Sequence, residues 1–91
     1  MEGVNEKQLE KILKALANRR RIMILKFIKK SGRASVGEVA DAIKLSFKAT
    51  SKHLMILGSA DILEKEQISL TMLYSISKDN HPIVSKLLSI L

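Results

Sequence analysis

Apolar residues recur at helical spacing along the first half of the chain. Leu9, Ile12, Leu13 and Leu16 form one stripe, with Lys7, Glu10, Lys11 and Lys14 off it, which predicts a helix over residues 6–17. Glu10 and Lys14 stand one turn apart as a favourable pair. Asn18 is the expected N-cap of a second helix over residues 19–30, whose apolar line is Ile22, Leu25 and Ile28 with Ile24 and Phe27 beside it. Ser31-Gly32 ends that helix. Ser35 and Glu38 make a capping box for a third helix, and Val36, Val39, Ala40 and Ile43 are its buried face.

The fourth helix carries most of the information. SFKATSKHLMIL, residues 46–57, opens with Ser46 as a cap. At 100° per residue, Phe47, Thr50, Leu54 and Leu57 fall in one sector, and Lys48, Lys52 and Met55 lie roughly opposite. Ala49, His53 and Ile56 flank, and Gly58 is expected to weaken or end the helix. Two short helices joined by the KLS turn, the second basic and polar on its outer face, form a helix-turn-helix.

Residues 62–69 and 72–77 are rich in strand formers and predict a hairpin, the wing of a winged helix. Asp79 or Asn80 is the expected cap of a last helix, with His81 a part of that cap, Pro82 in the first turn and Ile83, Leu87, Leu88 and Leu91 as the apolar face. That face must bury on the domain or on another copy of it. The predicted fold is mainly α with a small β-hairpin, in the order α-α-α-α-β-β-α. One domain spans residues 1–91, with a core over about 19–77 and terminal helices at about 6–17 and 80–91.

Charge sharpens this picture. Residues 11–52 hold twelve Lys or Arg and two acids, for a net +10, whereas the remainder nets −3. Such asymmetry fits one-sided contact with a polyanion, and double-stranded DNA is the expected partner. The ordinary alternative is a solubilising surface. The absence of cysteine excludes disulfides and thiolate metal sites. MEGVNEKQLEKILKAL has no continuous apolar run, so neither a signal peptide nor a membrane span is expected, and the expected location is cytoplasmic. No phosphate loop, nucleophile with partners or metal triad is present, so neither an enzyme nor a cofactor is expected.

LKALANRRRIMILKFI, SVGEVADAI, SFKATSKHLMIL and the hairpin ending in LYSIS together resemble the ArsR/SmtB family of winged-helix repressors, over about residues 9–77. The most specific pieces are Leu16-Ala17-Asn18 with Arg21, Ile24 and Leu25, and Ser46 with Ser51-Lys52-His53-Leu54. The resemblance implies a homodimer joined through its first and last helices, recognition helices in successive major grooves, and repression often relieved by a ligand. It departs at four places, one of them Asp61, where the family usually has glycine after the recognition helix. Metal-sensing members carry a cysteine pair in the third helix, where this sequence has SVGEVA. Asp79 and His81 match half of another family metal site, but HPIVSKLLSIL lacks the second half. The wing tip, QISLT, has no basic residue.

The candidate DNA-binding residues are therefore Ser46, Lys48, Ala49, Thr50, Ser51, Lys52 and His53. Lys48 and Lys52 would contact phosphate or a guanine edge, Ala49 a thymine methyl, and Ser46 a phosphate through its backbone amide. Thr50 is expected to turn mostly inward. Ser51 reads as a packing residue or phosphate donor, and His53 as a phosphate donor or a half-buried structural histidine. Arg19, Arg20 and Arg21 at a helix N-terminus call for a compensating anion, either phosphate or acids such as Glu6 and Glu10, although family resemblance makes Arg21 structural. Candidate dimerisation residues are Leu9, Ile12, Leu13, Leu16, Ile83, Leu87, Leu88 and Leu91. The competing readings are a winged-helix protein-interaction module and a non-specific architectural DNA binder.

Overall fold

The computed structural model describes residues 5–91. Its elements run α1 (Glu6–Leu16), α2 (Arg19–Ser31), β1 (Arg33–Ser35), α3 (Val36–Ile43), α4 (Phe47–Ser59), β2 (Leu63–Ile68), β3 (Thr71–Ile76) and α5 (Pro82–Ser89). Each of the first four helices starts at a polar side chain that accepts an otherwise orphaned backbone N–H. Asn5 accepts from Gln8 (3.0 Å), Asn18 from Arg21 (3.1 Å), Ser35 from Glu38 (3.2 Å) and Ser46 from Ala49 (3.1 Å). Glu38 completes the capping box by accepting from the Ser35 amide at 2.8 Å. Gly32 ends α2 at φ 88°, a conformation that strains any residue with a Cβ.

The sheet has the order β1-β3-β2, with both pairings antiparallel. In the hairpin Leu63 faces Ile76 and Ile68 faces Thr71, which leaves a two-residue turn of Ser69 and Leu70. Ser69 takes φ 59°, the left-handed geometry that turns this tight draw on. β1 is an element the hydrophobic pattern did not announce. Three residues show no period, and this segment is a strand because Ala34 pairs with Tyr74 across β3.

The core gathers Ile12, Ala15, Leu16, Ile24, Leu25, Ile28, Val39, Ile43, Leu54, Leu57, Ile62 and Val84 from all five helices and the start of the hairpin. Several expectations change here. α1 buries Ile12, Ala15 and Leu16, while Leu13 is 43% exposed and Leu9 is half-buried. Ile12 and Leu16 thus belong to the chain's own core and are not free for a partner. α5 is anchored by Val84, with Ile83, Leu87, Leu88 and Leu91 packed around it but half-exposed. Its N-cap is His81, whose Nδ1 accepts from the Ile83 amide at 3.1 Å, rather than Asp79 or Asn80. Asn80 instead donates to the Ser77 carbonyl at 2.8 Å. α4 runs through Gly58 to Ser59, since one glycine in the last turn costs only about 1 kcal/mol against the packing of Leu54 and Leu57.

Candidate nucleic-acid interface

The turn between α3 and α4 sets the geometry of the basic face. Lys44 closes α3 in the left-handed region (φ 56°, ψ 52°). The Leu45 amide then donates back to Ala40 at 3.1 Å, and α4 starts at once from Ser46. The Ser46 hydroxyl takes the Ala49 amide, so Phe47 and Lys48 present the unsatisfied N–H groups at the positive end of the helix. Lys48 and Lys52 are both exposed, one turn apart, and Lys44 joins them from the turn. Ala49, Ser51 and His53 are half-buried on the flanks.

Thr50 turns inward as expected, whereas Phe47 departs from its expected place. Thr50 has no exposed surface, so it is not available to DNA, and its hydroxyl has no hydrogen-bond partner. A buried hydroxyl without a partner is unfavourable. Thr50→Val keeps the shape and removes the orphan, and we expect urea unfolding to show a gain of about 1 kcal/mol with DNA affinity unchanged. A loss of stability would mean that the hydroxyl is bonded in solution. Phe47, placed by its angle in the buried sector, is instead 62% exposed. It stands at the first residue of α4, past the reach of the elements that cover Thr50 and Leu54.

Arg20 and Arg21, at the start of α2, find backbone carbonyls in place of acids. Arg21 donates through Nε to the Ala15 carbonyl at 2.6 Å and through a terminal nitrogen to Lys14 at 3.2 Å. Arg20 donates to the Ile43 carbonyl at 3.3 Å. Their charge is thus met by the negative ends of α1 and α3. Sequence alone pointed to a missing anion; partners 6 and 23 residues away were beyond its reach. Arg21 also donates to His53 Nδ1 at 3.1 Å, which ties α4 to the junction of α1 and α2.

Since a guanidinium only donates, His53 Nδ1 accepts and the ring is neutral, with its proton on Nε2. Burial lowers the His53 pKa from 6.5, and the charges of Arg21, Arg20 and Lys52 lower it further. The sign follows from proton binding: between 6.5 and the lowered folded value, the unfolded chain holds a proton that the folded chain does not. The contribution to stability is therefore full above 6.5 and is lost as pH falls through 6.5 toward the folded value. An NMR titration of the His53 ring should give a midpoint below 6.5; a midpoint at or above it would remove the Arg21 contact from the solution structure.

The wing differs in character. Ile68 is exposed and Leu70 is 95% exposed at the tip, and neither packs back on the domain. The exposed side chains of β2 include Glu64 and Glu66, and Glu64 accepts from the Lys78 amide at 2.9 Å. Among the described residues no three His, Asp or Glu side chains gather as a metal site requires, and no helix is long and apolar enough to cross a membrane.

Residues 18–65, the span from the cap of α2 into β2, match the family model described as bacterial regulatory protein, arsR family. The chain belongs to the ArsR family. It is 31% identical over 72 residues to the HTH-type transcriptional regulator YgaV of Escherichia coli K12, covering 79% of this chain and 73% of that one. The fold of this ArsR-family chain superposes on HlyU from Vibrio cholerae with a TM-score of 0.81, at 30% identity over 99% of this chain and 92% of the other. It also matches the homodimeric winged helix-turn-helix DNA-binding domain of Mb0332 from Mycobacterium bovis, with a TM-score of 0.80 and 26% identity, covering 99% and 85% of the two chains. This ArsR-family member is thus a transcriptional regulator with a winged-helix DNA-binding fold, and family and fold alike point to regulation rather than catalysis.

Proposed function

We propose that the chain is a homodimeric, sequence-specific binder of double-stranded DNA that represses transcription by occupying its operator, without a metal-sensing site. The observation that carries the reading is α4: one side packs on the core through Thr50, Leu54 and Leu57, and the other presents Lys48 and Lys52 beside an unsatisfied helix N-terminus. Lysine ammonium groups neutralise phosphates or donate to guanine O6 and N7, while the Ser46 end of the helix meets a phosphate. Residues 19–77 would form the DNA-binding core. The homodimeric Mb0332 domain supports the homodimer, and the terminal helices would join the two copies through Leu9, Leu13, Ile83, Leu87, Leu88 and Leu91. The lack of cysteine supports the absence of a thiolate metal sensor.

Selection of random duplex DNA on the purified protein at two salt concentrations tests this. An inverted repeat with half-sites about one helical turn apart is the expected result. Binding without a motif that vanishes as salt rises would leave only counterion release, the signature of an architectural binder. A second reading, a protein-interaction module, is favoured by one observation, the bare apolar tip at Ile68 and Leu70. It predicts weak DNA binding with no preferred sequence.

A further inference from the structure

We propose that Phe47 determines operator sequence by packing its ring on the C5-methyl of a thymine in each half-site. The inference rests on the DNA-binding reading of α4 and adds to it the identity of a base. Phe47 is the first residue of α4 and is 62% exposed, so its ring takes no part in closing the core. Its immediate surroundings are cationic: Lys44 in the turn, Lys48 next to it and Lys52 one turn on, all exposed. A surface of that charge draws in a polyanion and brings the helix end up to it.

Within a helix-turn-helix, the N-terminal residues of the second helix come nearest the base edges. The Phe47 amide, unsatisfied at the helix end, sets the backbone within reach of phosphate, and the exposed ring stands at that same leading end of α4. A phenyl ring neither donates nor accepts a conventional hydrogen bond, so it cannot discriminate among the donor and acceptor patterns of guanine, adenine and cytosine. The one apolar group in the major groove is the thymine methyl. Lys48, beside it, supplies the complementary capacity to donate, so the two residues together read a thymine next to a guanine or a phosphate.

The test uses the full chain and the operator recovered by selection. Each thymine of a half-site is replaced in turn by deoxyuridine, which lacks only the methyl group. One position is expected at which the protein loses about fourfold in affinity, the burial of one methyl-sized group. Phe47→Ala should be insensitive to the change at that position. Phe47→Gln, a helix-compatible polar variant, should shift the preferred base there from thymine to adenine. The idea is overturned if no deoxyuridine position weakens the native protein, or if Phe47→Ala shows the same loss as the native protein. It is equally overturned if Phe47→Gln, with an unchanged melting temperature, keeps the original preference. Failure of the selection to yield any operator is a separate result, which removes the sequence-specific reading and this inference with it.

Discussion

Replacing Lys48 and Lys52 together with alanine should lower operator affinity by about 100-fold or more at physiological salt, since the proposed dimer loses four cationic contacts. The dependence of affinity on salt should flatten as well. Each lost phosphate contact removes about 0.9 from the slope of log K against log salt, so the change approaches about 4 if all four lysines meet phosphates. A smaller change in slope with an equal loss of affinity would assign one lysine to a base edge. The double variant should fold normally, because both side chains are exposed and neither touches the core. Operator binding that stays at the native level would show that α4 is not the recognition helix.

Glutamate at both Leu9 and Leu13 should turn the proposed dimer into a folded monomer and lower operator affinity by at least about 100-fold, the advantage that joining two half-site contacts supplies. The structure makes this the cleaner way to test the interface. Leu13 is 43% exposed and, with Leu9 and Ala17, lines a shallow apolar trough on the outer side of α1. Ile12, Ala15 and Leu16 hold the helix to the core from the other side. Leu87 and Leu88 are packed against the chain's own core, so polar residues there would unsettle the fold along with any interface. Analytical ultracentrifugation beside circular dichroism separates the outcomes. A double variant that remains dimeric would exclude α1 from the interface.

Much of this architecture is written in the periodicity. The five helices, the hairpin, the capping box at Ser35 and the cap at Ser46 could all be read from the order of residues, because each rests on contacts within a few positions. What could not be read depends on distant partners. β1 is a strand through Tyr74, 40 positions on from Ala34, and Arg21 meets His53 across 32. The error at Phe47 has another origin. Its angle around the helix matches that of Thr50 and Leu54, but an angle carries no information on where along the axis the covering elements stop. Val84, omitted from the apolar face of α5, proved to be that helix's fully buried residue; it stands one turn before Leu87 and Leu88, on the same side that they turn to the core.

That anchoring has a dynamic meaning. α5 is fastened by Val84, its one fully buried residue, by the half-buried Ile83, Leu87, Leu88 and Leu91 around it, and by the Lys29 ammonium on the Leu88 carbonyl at 2.6 Å. A short terminal helix with one fully buried residue is expected to open at a free energy below that of global unfolding, so its amides should exchange with solvent early, while those around the fully buried Ile24, Leu25 and Ile28 should wait for the whole domain to open. Anything that covers the outer side of α5 must close this local opening, and the exchange rate there then reports occupancy of the face directly.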